Sequence, residues 1–318
     1  YCKLYKIEKM SKALVVIKSM GIGDLVILMA NIHAISKSIK EPVVLMAQKN
    51  TKAVDILKND PHVKEIIDLD KKGFFNIIKK IKSKNFDQSY IYSDSIRLFL
   101  ILKFSGIKKI FHYRFFSKKG KNFYKTAKRF TEKILNININ HESKIFNKNE
   151  EVIKAKEKFN ISDKNVNIVC GISASGPTKR WDIKNYIKLF EKISNKFPSK
   201  FFIAAGPKDE DLVEKIMNSS LGKNCISFSK MSIAETIPII SNCQNYIGND
   251  TGWAHISAAL NLKSLYLFCD SPSEAYGTWR SNINLIVPQG EKVCNHNTRG
   301  KDKISFEEVL EKSFSIIN

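Results

Sequence analysis

The stretch KSMGIGDLVILM, Lys18 to Met29, decides the fold. It follows a strand-like apolar run, Ala13 to Lys18, and leads into residues with helical spacing from Asp24 to Ile39. A strand that is apolar throughout is buried on both faces, and a glycine turn into a helix then marks half of a parallel βαβ unit. A second junction of this kind, YIGNDTGWAHISAAL, runs from Tyr246 to Leu260. Strand C-termini and helix N-termini converge at such turns, which is where α/β sheets bind ligands. One junction in each half predicts two doubly wound domains facing a cleft, an arrangement suited to joining two substrates.

The segments between them keep the same rhythm. Strands are expected at Pro42–Met46, Glu65–Leu69 and Asp87–Tyr92, with helices from about Thr51 and over Phe74–Lys84. The pattern restarts with strands at Val166–Cys170, Phe201–Ala205, Cys225–Phe228, Tyr246–Gly248 and Ser264–Phe268. Ser232 with Glu235, and Ser305 with Glu308, have the spacing of capped helix starts. The expected division is an N-terminal domain over 1–160, a C-terminal domain over 161–300, and a last helix in 301–318 packing back on the N-terminal domain. The connection falls in the Asn-, Lys- and Glu-rich region 136–165.

A chain of 318 residues is long for one core and suits two. No apolar run reaches the ~20 residues of a membrane span, and Ile96 to Phe104 is interrupted by Arg97 and Lys103. The first ten residues are polar and basic, which predicts a cytoplasmic protein, and six scattered cysteines fit reduced thiols. Net charge is +22, concentrated in residues 1–160, where 34 Lys and Arg face 15 Asp and Glu. Lys103 to Lys133 alone carries eleven cations and one acid, with Phe111, Tyr113, Phe115, Phe116, Phe123, Tyr124 and Phe130 interleaved. Lys118, Lys119, Lys121 and Lys125 mark this stretch as a surface for an anionic glycolipid or membrane, against the alternative of a lysine bias from base composition.

Three segments carry candidate chemistry. Gly21-Ile22-Gly23-Asp24 is no dinucleotide fingerprint, since the third glycine would fall at Val26. Its acid can cap a helix or serve as a general base, and spacing alone favours neither. Ser173 to Trp181 offers free N–H groups, hydroxyls such as Ser175, and Lys179, a set able to hold phosphate. Asp250-Thr251-Gly252 opens a helix whose N–H groups suit an anion, with His255 on the same face as Thr251.

Together these segments resemble glycosyltransferase family nine, the ADP-heptose:lipopolysaccharide heptosyltransferases. Gly23-Asp24, the Ser173–Trp181 loop and Asp-Thr-Gly-x-x-His at Asp250 to His255 match in order and interval. The resemblance implies a GT-B fold and inverting, metal-free transfer from a nucleotide-diphosphate sugar, with no cofactor. It implies that Asp24 is the base and that Lys179 and Thr251-Gly252 hold the diphosphate. Ser175, Asp250 and His255 would complete the donor site, and Glu210, next to Asp209, would bind the ribose. The acceptor would be an acidic glycolipid such as Kdo-bearing lipid A, at the inner face of the cytoplasmic membrane. A nucleotide-sugar epimerase of the same fold, or a nucleic-acid-binding protein, are the alternatives.

Overall fold

The computed structural model describes residues 11–18, 20–69, 73–113 and 122–318. Two all-parallel sheets organise the chain. The first contains β1 (Ala13–Ile17), β2 (Val43–Ala47), β3 (Val63–Asp68), β4 (Gln88–Tyr92) and β5 (Lys109–His112), in spatial order β3-β2-β1-β4-β5. The second contains β6 (Val166–Gly171), β7 (Ser199–Ala204), β8 (Cys225–Ser227), β9 (Asn245–Asn249), β10 (Lys263–Leu267) and β11 (Ile283–Ile286), in order β11-β10-β9-β6-β7-β8. In each sheet the order reverses beside its first strand, between β1 and β4 and between β6 and β9. Loops leaving such a switch point diverge and leave a crevice, so the loops after β1, β6 and β9 are where a ligand fits.

Helices cover the sheets. In the first half these are α1 (Ile22–Ile39), α2 (Ala53–Ile56), α3 (Phe74–Lys82), α4 (Ile96–Phe104), α5 (Phe123–Leu135) and α6 (Asn149–Lys158). In the second half they are α7 (Ile183–Ser194), α8 (Glu210–Met217), α9 (Ile233–Ile240), α10 (Gly252–Ala259), α11 (Ser273–Tyr276) and α12 (Phe306–Ile317). α1 is 18 residues long and apolar enough, by composition, to cross a membrane. Its residues Leu25 to Ser36 are all buried, because it packs against β1, α5 and, across the cleft, α10. A helix covered on every side needs no polar face, which accounts for its composition. One apolar cluster therefore runs from Val15 and Leu28 through Ala254 and Tyr266, joining the two halves.

Two expectations fail here. α12 does not return to the N-terminal domain: Val309 and Ile316 are buried in the second domain's core with Leu189, Phe190 and Leu265. Its apolar stripe fills the sheet face beside α7, and Asn245 Nδ2 donates to the Ile316 carbonyl at 2.9 Å. Among the described residues, the aromatics of Lys103–Lys133 also do not share one surface. Tyr113, Phe123 and Phe130 are buried, since α5 turns Phe123, Ala127 and Phe130 toward the core at helical spacing.

Candidate active site

A cleft of about 430 Å³ lies between the two domains and is lined by the three predicted segments. Gly21 to Asp24 supply one wall; Ser173, Ser175, Lys179 and Asp209 a second; Asp250 to Trp253 and His255 the floor. The helices α1 and α10 meet almost N-terminus to N-terminus. A Cβ added to Gly23 would lie 2.5 Å from His255 Cδ2, and one added to Gly252 would lie 2.7 Å from Ile22 Cβ. These glycines let two helix N-termini, each carrying a partial positive charge, converge on one space. Gly23→Ala should destabilise the protein by ~1–3 kcal/mol through overpacking. Gly176→Ala, where nothing lies within 4 Å of the new methyl, should change it by less than ~0.5 kcal/mol. Equal melting temperatures for the two variants would show that the helix approach is not tight.

Asp24 combines the two roles that sequence left open. Its Oδ2 accepts the Gly21 backbone N–H at 2.9 Å, capping α1, while its buried Oδ1 has no hydrogen-bond partner. Thr251, the N-cap residue of α10, makes no side-chain capping bond, and its buried Oγ1 is also unpaired. Buried polar atoms without partners are rare, and those in a cleft mark where a ligand's groups belong. Asp250 is not a cap: its Oδ2 accepts from Ser271 Oγ at 2.6 Å.

Lys179 is held by its neighbours rather than by a partner of its own. Thr178 Oγ1 donates to Asp270 Oδ2 at 2.7 Å, the Arg299 N–H donates to Asp270 Oδ1 at 2.9 Å, and the Trp181 N–H reaches Asn249 Oδ1 at 3.0 Å. Burial pushes the Asp270 carboxyl up, but these hydrogen bonds and the Lys179 charge outweigh it and hold it below its ordinary value. Glu210, expected to bind the ribose, and its neighbour Asp209 stand differently toward the cleft. Glu210 is not part of the cleft lining and lies 3.5 Å from Lys230, whereas Asp209 lines the cleft, 2.6 Å from the Arg180 guanidinium. The one-residue difference follows from the turn Pro207–Asp209, which leaves Asp209 buried before α8 begins.

His255 has a partner that no motif announced. The Trp279 indole N–H donates to His255 Nδ1 at 3.1 Å, and both rings are buried. An indole nitrogen only donates, so Nδ1 must accept and the neutral ring carries its proton on Nε2. That atom lies 3.2 Å from Asp250 Oδ1, off the hydrogen-bond direction. His255 therefore presents a donor to the cleft. Nitrogen NMR of the protein should show His255 unprotonated at Nδ1, and Trp279→Phe should mix the two tautomers. A wild-type ring protonated at Nδ1 would contradict this geometry. Tyr276 also lines the cleft; burial, followed by the Asp24 and Asp250 charges, raises its pKa, so its hydroxyl stays a donor.

Ser271, Tyr276, Trp279 and His296 escaped the sequence search because they follow β10, and no glycine turn marks that strand's end. Its place beside β9 is the only signal for them. Lys118, Lys119 and Lys121 lie outside the described residues, and Lys125 is an exposed residue of α5. Among the described residues no three His, Cys, Asp or Glu side chains converge as a metal-ligand set, and Cys170, Cys225, Cys243, Cys269 and Cys294 are free and buried.

Two doubly wound sheets facing a cleft lined from both sides are the architecture of a GT-B glycosyltransferase. The chain belongs to glycosyltransferase family 9 (heptosyltransferase), whose sequence profile matches residues 74–304. Lipopolysaccharide heptosyltransferase 1 of Campylobacter coli is 28% identical over 154 residues, a segment covering 47% of this chain and 44% of that protein. The chain thus aligns with under half the length of this curated relative. The whole fold is shared with the solved structure of E. coli ADP-heptose lipopolysaccharide heptosyltransferase II, at TM-score 0.77 and 18% identity over 96% of this chain and 98% of that one. A family 9 glycosyltransferase from Veillonella parvula superposes at TM-score 0.79 with 16% identity, covering 97% and 98% of the two chains.

Proposed function

We propose that this chain transfers a sugar, heptose from ADP-heptose, with inversion and without a metal ion, to an acidic glycolipid of the lipopolysaccharide core. The observation that carries this reading is the pair of buried, unpartnered atoms, Asp24 Oδ1 and Thr251 Oγ1, in one cleft beneath two helix N-termini. Asp24 Oδ1 takes the proton of the acceptor hydroxyl as its oxygen bonds to the anomeric carbon. The bond from that carbon to the diphosphate breaks, and ADP leaves with the electron pair. Charge growing on the leaving group is met by Lys179, the Thr251 hydroxyl and the N–H groups opening α10, which therefore act most strongly in the transition state. His255 Nε2–H and the Tyr276 hydroxyl are further donors to the same space. Asp209 binds the ribose. The family and the relatives named heptosyltransferases support the donor, and the excess of cations in the first half supports an anionic acceptor held at a membrane surface.

The test is transfer from ADP-heptose to a Kdo-bearing lipid A acceptor in the presence of EDTA. The expected product is the acceptor extended by one heptose at an undiminished rate. A rate abolished by EDTA and restored by a divalent cation would overturn the metal-free step.

A further inference from the structure

Exposed apolar side chains in this protein are not scattered evenly. Of eight large hydrophobic residues exposed among the described residues, four lie on the adjacent helices α3 and α4: Phe75 at 83%, Phe104 at 63%, Ile96 at 49% and Leu100 at 40%. Both helices cover the same face of the first sheet, burying Ile77, Ile81, Leu98, Ile101 and Leu102 against it. Their outer face therefore exposes a second apolar stripe to solvent. Phe75 is joined by Lys79 and Lys82 on α3, and Ile96, Leu100 and Phe104 by Arg97 and Lys103 on α4. Neither helix contains an acid.

We infer that this α3–α4 face docks the protein on an anionic lipid surface. The inference rests on the reading of a membrane-held glycolipid acceptor. Apolar tips flanked by flexible cations match the boundary between acyl chains and acidic headgroups, where each part finds its own environment. A second copy of the chain is a poor occupant, because a two-fold contact would set the cations of one face against those of the other. The position also serves the chemistry. α3 and α4 start where β3 and β4 end, at the cleft side of the sheet, and Lys18 Nζ, next to the Asp24 turn, donates to the α4 cap Ser95 Oγ at 3.5 Å. A bilayer on this face would hold its glycolipids beside the cleft rim.

The experiment is co-sedimentation of the full chain with phosphatidylcholine vesicles, with and without phosphatidylglycerol. Wild type should bind only the anionic vesicles. Ile96→Ser with Leu100→Ser, and separately Arg97→Glu with Lys103→Glu, should each weaken partitioning at least ~10-fold. Both should leave melting temperature and transfer to a soluble, lipid-free acceptor unchanged. Wild-type-like sedimentation of both double variants would overturn the inference while leaving the membrane reading intact. So would release only by charge reversal at Lys118, Lys119, Lys121 and Lys125, which would move the contact to that segment. If wild type ignores anionic vesicles, the inference and the membrane reading both fail, and transfer to the soluble acceptor still stands or falls separately. Loss of a wild-type dimer in the variants, with vesicle binding unchanged, would assign the face to a second copy instead.

Discussion

Asp24→Asn should reduce sugar transfer by at least ~10²-fold while leaving the fold and donor binding nearly unchanged. The variant keeps an oxygen that can accept the Gly21 N–H, so the α1 cap survives. What it loses is the basicity of the carboxylate whose other oxygen has no partner in the cleft. An amide there can hydrogen-bond an acceptor hydroxyl but cannot take its proton. Melting curves and ADP calorimetry should match wild type, and only turnover should collapse. If a folded Asp24→Asn protein turns over within a few-fold of wild type, the base lies elsewhere.

Lys179→Ala should weaken ADP binding by the ~1.5–3 kcal/mol of a charge-assisted hydrogen bond, a loss of roughly 10- to 150-fold. The loop itself should stay in place, because Thr178, Trp181 and Arg299 hold it through Asp270 and Asn249 rather than through the ammonium group. Adenosine, which lacks phosphates, should bind both proteins alike. Equal losses for adenosine and ADP in calorimetry would mean that the substitution disturbs the pocket and that Lys179 does not hold phosphate.

The parts of this site that sequence revealed are those with a local cause. β1 is apolar because both faces of a parallel sheet are covered, and Gly23 and Gly252 are needed where the two helix starts approach closely. Asp24, Thr251 and His255 sit beside those signals, and Lys179 stands in the small-residue loop that follows β6. Parts set by tertiary packing were not legible. The apolar stripe of α12 would suit either domain, and only the completed second sheet offers it a partner. The aromatics around α5 looked like a surface because lysines stand between them, yet helical spacing turns Phe123 and Phe130 inward. Asp209 and Glu210 differ by one residue at a turn, below what pattern can resolve. Trp279 lies 24 residues beyond His255, and the bond between them exists only because β10 returns the chain alongside β9.

The most direct test of the account is the configuration and fate of the transferred sugar. Wild type incubated with ADP-heptose alone should leave the sugar nucleotide unisomerised. With Kdo-bearing lipid A added, proton NMR of the product should show one new glycosidic bond whose anomeric configuration is opposite to that in the donor, and Asp24→Asn should form it at least ~10²-fold more slowly. Retention of the donor's configuration, or isomerised free ADP-sugar in place of a glycosylated lipid, would contradict direct displacement assisted by Asp24.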